Sequence, residues 1–184
     1  HNSKLKGLSN RYHGLKYFFI NNLKIKKVKK NNNIFISIGS SLNLNKINSV
    51  KKIIRDNQDL KFILAPNFLG KINKKKNINI SDKKNYFYNF KASKICITNA
   101  GNSLLEGIYL NKPCFVLPQT KKEEKFAKYL LEKKLIVDIN NFNNARNKPI
   151  IKRVKHNTIN IIDNKGAVRI LKLVKKLFHD KNFW

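Results

Sequence analysis

Two short stretches of small and polar residues stand out for what they could bind. Gly39-Ser40-Ser41 follows the apolar run Ile34-Phe35-Ile36-Ser37-Ile38, and Asn99-Ala100-Gly101-Asn102-Ser103 follows Ile95-Cys96-Ile97-Thr98. Small residues let a backbone approach an anion closely. A helix beginning near Asn102 would aim its free N–H groups at that anion, and the Ser103 hydroxyl adds a donor. Glu106 lies one turn into the same helix, on the side of Ser103. Its carboxylate is an acceptor pair suited to the two hydroxyls of a ribose. Together these residues describe a nucleoside-diphosphate site, with N–H groups for the phosphates and Glu106 for the sugar. Each part also has a purely structural explanation. Asn102 or Ser103 followed by Glu106 has the spacing of a capping box, which needs no ligand, and Gly39 also suits a tight strand-to-helix turn.

The elements that must position these bends are legible as alternating apolar patterns. Continuous apolar runs at 34–38, 60–65, 95–98, 113–117 and 135–139, with a weaker one at 78–80, predict strands. Helical spacing predicts helices carrying Ile47, Val50, Ile53 and Ile54; Tyr86, Phe87, Phe90 and Ala92; Leu104, Leu105, Ile108 and Tyr109; and Phe126, Ala127, Leu130 and Leu131. A last helix at 167–178 places Val168, Leu171, Val174, Leu177 and Phe178 near one face. Residues 140–147 read as a polar, Asn-rich loop. Strand and helix alternate at the pace of βαβ units, and strands without polar alternation are those covered on both faces. The expected fold is α/β, a Rossmann-like open parallel sheet with helices on both faces, in which ligands bind beyond the carboxyl ends of the strands. No internal repeat is visible. Residues 1–32 read as a basic connector or arm, and residues 33–184 as the α/β domain.

The 184 residues include 40 Lys+Arg against 10 Asp+Glu, a formal charge of +30. Such a charge points to nucleic acid or an anionic surface. The basic residues are overwhelmingly Lys, however, beside abundant Asn and Ile, the residues an AT-rich genome over-produces. Arg, the residue of bidentate base and phosphate contacts, occurs only at the scattered positions 11, 55, 146, 153 and 169. The composition therefore argues against nucleic acid as the main partner, though attraction for anionic ligands follows either way. Two cysteines are too few for a disulfide scaffold; Cys96 and Cys114, in apolar runs, read as small hydrophobes. No apolar run reaches the ~20 residues of a membrane span, and the start, His1-Asn2-Ser3-Lys4, has no signal-peptide core. The expectation is a cytoplasmic protein. With no Met anywhere, it is also expected to be a piece of a longer polypeptide. His13, His156 and His179 read as structural or solvated. No cluster has metal-ligand spacing, no Gly-x-Ser-x-Gly elbow is present, and no cofactor is expected.

Thr98-Asn99-Ala100-Gly101-Asn102-Ser103-Leu104-Leu105-Glu106, followed by Leu110-Asn111-Lys112-Pro113-Cys114-Phe115-Val116-Leu117-Pro118, resembles the nucleotide-sugar half of GT-B glycosyltransferases, and more narrowly their MurG-like group. Within it the chain looks closest to the PseG-like UDP-sugar hydrolases of pseudaminic acid biosynthesis. Asn10-Arg11-Tyr12 resembles that branch's connector, Ile36-Ser37-Ile38-Gly39-Ser40 its phosphate loop, Asn85-Tyr86 a pair ahead of the base pocket, and Asp163-Asn164-Lys165-Gly166-Ala167 the lead-in to the last helix. The resemblance covers nearly the whole chain but only the C-terminal half of the family's enzyme, so it implies a missing N-terminal domain that holds the catalytic groups. It implies a UDP-sugar as ligand, with uracil near Asn85 and Tyr86, the diphosphate between Gly39-Ser40 and Asn99-Ala100-Gly101-Asn102-Ser103, and the ribose at Glu106. The activity implied is hydrolysis of a UDP-linked diacetamido-trideoxy-hexose, with MurG-like transfer to an acceptor as the alternative and a basic nucleic-acid-binding module as a second one. Departures from the family pattern are Ala100 and Ser40 in place of glycines, and Lys122-Glu123 in place of Asn-Gln. The last would set the Glu123 charge near the phosphates.

Overall fold

The structure is a computed structural model that describes residues 14–20, 28–39, 44–66, 68, 72, 76–145 and 149–179. Ser40, the Asn10-Arg11-Tyr12 stretch and much of the basic connector lie outside the described residues. In chain order the elements are β1 (Ile34–Ser37), α1 (Leu44–Asp56), β2 (Phe62–Leu64), β3 (Ile78–Ile80), α2 (Tyr86–Ala92), β4 (Ile95–Thr98), α3 (Asn102–Tyr109), β5 (Cys114–Val116), α4 (Lys121–Glu132), β6 (Val137–Asp138), α5 (Phe142–Ala145), α6 (Pro149–Thr158) and α7 (Gly166–His179). The strands form one sheet in the order β3-β2-β1-β4-β5-β6, with every pairing parallel.

Alternation along each strand builds two separate cores. Ile34, Ile36, Phe62, Leu64, Ile95, Ile97, Phe115 and Val137 point to one face, where they meet α1, α5 and α6 through Val50, Ile53, Phe142, Ile151 and Val154. Phe35, Ile63, Cys96, Cys114 and Val116 point to the other, against α2, α3 and α4 through Phe90, Leu104, Ile108, Ala127 and Leu130. Helices on both faces bury β1, β2, β4 and β5 fully, which is why those strands are nearly continuous apolar runs; the edge strand β3 leaves Asn79 and Ile80 exposed. The chain runs outward from β1 to β3, then crosses back to lay β4 beside β1. The sheet thus has its topological switch point between those two strands.

Three local features differ from the sequence reading. Residues 140–147 are not simply a loop: a 3-10 turn, Ile139–Asn141, leads into α5, and Phe142 is 1% exposed, its ring 4.9 Å from that of Phe115. Helix α6 had no counterpart in the predicted elements. It opens on Pro149, where a missing N–H leaves no bond unmade, and buries Ile151, Val154 and Thr158 along one stripe. The run at 135–139 pairs only over Val137–Asp138, although Leu135 and Ile136 are buried.

The connector segment 14–20 lies against the domain. Its 3-10 turn, Leu15–Tyr17, meets the start of α7, where Arg169 donates to the Lys16 carbonyl (2.8 Å) and forms two bonds to Asp163 at 2.6 and 2.7 Å. A side chain at Gly166 would collide with the Phe18 carbonyl. The glycine that opens the last helix is therefore a packing requirement.

Candidate functional site

Because β1 and β4 are neighbours, with Ser37 in register with Thr98, the two small-residue bends emerge side by side. The Asn99 side chain lies between them. Its amide nitrogen is 3.5 Å from where a Cβ on Gly39 would sit and 3.2 Å from the same point on Gly101. Both glycines thus pack against one amide, with ordinary room for a side chain at Gly39 and a tight fit at Gly101. Helix α3 starts at Asn102 with Gly101 as its N-cap and no side-chain cap, so the capping-box reading of Asn102, Ser103 and Glu106 does not describe this helix start. The first N–H groups of a helix have no partner within it, and here they sit at the switch point.

Ser103 makes other contacts. Its hydroxyl is 3.1 Å from the Tyr86 hydroxyl and 3.3 Å from that of Ser37, and Tyr86 and Ser37 are themselves 3.0 Å apart. This triangle ties the ends of β1, α2 and α3 together. Burial pushes the Tyr86 phenol upward, against the lowering effect of its two serine partners, so it stays protonated. Its ring meets Phe35 edge-on at 5.3 Å and Phe87 at 5.1 Å. A cavity of about 380 Å³ opens over these groups, lined by Ser37, Gly39, Ser103, Tyr86, Pro66, Lys83 and Phe87.

The remaining expected residues fall around that cavity rather than on its wall. Glu106 is half-buried, and desolvation raises its carboxyl above the ordinary glutamate value; its charge is felt at Tyr86. Asn85 is exposed and tied to Asp82, through its backbone N–H (2.6 Å) and its side-chain amide (2.9 Å). Ala100 is 7% exposed and belongs to the core, which explains why a methyl is tolerated there. Asn102 is exposed at the first position of α3.

Glu123 has a structural task. Its carboxylate accepts from the Asn99 amide and from the Gln119 N–H, both at 2.7 Å, while its own N–H donates to Thr120 Oγ1 at 3.2 Å. Thr120-x-x-Glu123 is thus a variant capping box for α4 that also holds Asn99 between the glycines. Lys46 adds a second tie, donating to the Pro118 carbonyl (2.8 Å) and pairing with Glu124 (2.7 Å). The sequence reading did not single out Ser37, Lys83, Phe87 or the Thr120 cap as site residues. Only the cap carried a local signal, the S/T-x-x-E spacing.

No protein-family profile matches the chain, and no curated protein sequence is similar to it. Solved structures are similar in fold. The glycotransferase of kitacinnamycin is 12% identical with a TM-score of 0.63, over 86% of this chain and 47% of that one. The S. aureus MnaA–UDP complex is 15% identical with a TM-score of 0.57, over 82% and 46%. The UDP-GlcNAc 2-epimerase from Neisseria meningitidis bound to UDP-GlcNAc is 15% identical with a TM-score of 0.52, over 79% and 45%. The chain thus has the Rossmann-like α/β fold of GT-B glycosyltransferases and UDP-sugar epimerases, and spans about half the length of the chains it matches.

Proposed function

We propose that this chain is the UDP-sugar-binding half of a GT-B-type enzyme. The observation that carries the reading is the pair of glycine bends meeting around Asn99 at the switch point, with the uncapped start of α3 beside them. That arrangement offers backbone N–H groups to a diphosphate. The cavity of about 380 Å³ next to it is within the roughly 300–1,000 Å³ typical of small-molecule sites. Its aromatic wall, Tyr86 and Phe87, suits a base. Asn85 would then contact the base through its side-chain oxygen or the second N–H of its amide, the first being held by Asp82, and Glu106 would reach the ribose.

Within this class we infer a PseG-like hydrolase, on the resemblance of the strand-exit motifs and of 163–167. Water would attack the anomeric carbon, the bond from that carbon to the diphosphate oxygen would break, and UDP would leave with the electron pair. This chain's share is orientation and stabilisation of charge on the departing diphosphate by the α3 N–H groups; the groups that activate water would come from a second, N-terminal domain.

Calorimetry with UDP tests the site. The chain is expected to bind UDP, and Gly101→Val, which blocks backbone approach, to weaken binding by about tenfold or more, the scale of one or two charge-assisted hydrogen bonds. Equal affinities for the two proteins would remove the bends from the site. Product analysis with the chain joined to its N-terminal domain separates the reactions: free sugar supports hydrolysis, a glycosylated acceptor supports transfer, and an epimerised UDP-sugar would replace both.

A further inference from the structure

A second concave site lies at the opposite end of the sheet, where β4 and β5 begin. It is a cavity of about 450 Å³ whose lining includes Lys30, Lys94, Lys112 and Lys155 together with Asn31, Asn32 and Asn111. Four segments distant in sequence contribute to it.

Lys112 reaches this position because α3 ends in a turn with Asn111 in the left-handed region (φ 52), after which the Lys112 N–H closes onto the Gly107 carbonyl at 2.9 Å. Lys112 is 3% exposed. Its ammonium donates to the carbonyls of Ser93 and Lys91 and lies 5.9 Å from the centre of the Phe90 ring. Lys30 donates to the same Lys91 carbonyl at 2.9 Å, so two ammonium groups share one neutral oxygen. Every Asp and Glu of the chain except Asp180 is among the described residues, and none of these lines the cavity. The rim amides add donors. The Asn31 side-chain oxygen is taken by the Asn33 N–H (3.0 Å) and that of Asn111 by the Thr158 hydroxyl (2.6 Å). Their NH2 groups are what remains to offer.

We propose that this lysine-lined cavity is a binding site for a small phosphate-bearing anion, separate from the nucleotide cleft. A concave site lined by four lysines, with no described carboxylate in its lining and with two of its rim-amide oxygens already accepting hydrogen bonds, favours an anion as its ligand. A phosphate supplies several acceptor oxygens to be shared among lysine and amide donors. The mutual repulsion of the lysines agrees with this: burial, then the neighbouring Lys30, lowers the Lys112 ammonium to about 8, and Lys30 is lowered by burial, Lys91 and Lys155. The other titratable groups facing Lys112 are Lys155 and the thiols of Cys96 and Cys114, and Lys94 shares the cavity. Lys112 carries its charge below about pH 8, so affinity should fall as pH rises through that value.

The test is an amide-resolved NMR titration of the full chain with inorganic pyrophosphate, at pH 7 and pH 9. Saturable shifts at Asn31, Asn32, Lys94 and Asn111, weaker at pH 9, are expected. The double variant Lys30→Gln/Lys155→Gln should lose about tenfold or more in affinity, as expected for removing charge-assisted contacts. Lys52→Gln/Lys128→Gln, which removes the same charge from exposed helix positions, should leave the affinity nearly unchanged. Shifts confined to Gly39, Gly101 and Ser103, or equal losses in the two variants, would overturn the proposal. So would a generic RNA oligonucleotide that perturbs the rim amides at lower phosphate concentration than pyrophosphate, since a polymer would then be the ligand.

Discussion

Glu106 carries a cost to the fold that a single substitution can expose. Its half-buried carboxyl is raised above the 4.5 of an ordinary glutamate by lost hydration, and no hydrogen bond from another described residue to it offsets that cost. In the window between 4.5 and the raised value, the native state holds more protons than the unfolded chain. Stability therefore falls as pH rises through the window and stays reduced above it. Glu106→Gln keeps the shape and removes the charge. The variant is expected to melt at a higher temperature than the parent at pH 7, with the gap closing toward pH 4. A gap that does not change with pH would mean that the carboxyl is fully hydrated. Under the proposed nucleotide-sugar reading, ribose hydroxyls donating to this carboxylate would relieve that cost. The hydroxyl triangle of Ser37, Tyr86 and Ser103 behaves differently, since each of its members already has partners before any ligand arrives.

At the scale of elements, α3 connects the site to the sheet. Its one glycine, Gly107, faces the sulfur atoms of β4 and β5: a Cβ there would come within 2.6 Å of Cys114 Sγ and 3.1 Å of Cys96 Sγ. Gly107→Ala gains about 1 kcal/mol of helix propensity, yet overpacking a filled core costs roughly 1–3 kcal/mol. Net destabilisation is expected in urea unfolding, and adding Cys114→Ala, which vacates the space, should recover much of it. A stabilised single variant would show that α3 can lift from the sheet. The sequence reading found α3 and the inner strands because a buried parallel sheet writes itself as nearly continuous apolar runs, which end sharply at Gly39 and at Asn99-Ala100-Gly101; the exposed edge strand Ile78–Ile80 left only a weak trace. It overlooked α6, whose buried stripe of Ile151, Val154 and Thr158 is thin among Lys, Arg, His and Asn, and Phe142, isolated in an Asn-rich stretch. Ser37 was beyond reach for another reason. Its place beside Ser103 and Tyr86 follows from strand register and from α2 packing over β1, and neither is local. The Glu123 carboxylate, expected near the phosphates, is tied by its capping position to Gln119 and to Asn99, the residue between the two glycine bends.

For the molecule as a whole, the question is what a charge of +30 does at two opposite ends of one sheet. Charge spread over a surface attracts any polyanion, and it does so by releasing counterions, so such binding collapses with salt. A site built of backbone N–H groups and side-chain hydroxyls at a switch point depends on geometry instead, and a ligand with few charges releases few ions. The two kinds of binding are therefore expected to separate in a salt series. Affinity for UDP should decline shallowly between 50 and 500 mM salt, whereas affinity for a generic duplex should fall by orders of magnitude and be no tighter than about micromolar near physiological salt, the range of non-specific binding. Sub-micromolar duplex binding that persists there, together with UDP binding that vanishes on the same slope, would mean that the lysines act as a nucleic-acid surface and that the glycine bends hold nothing of their own.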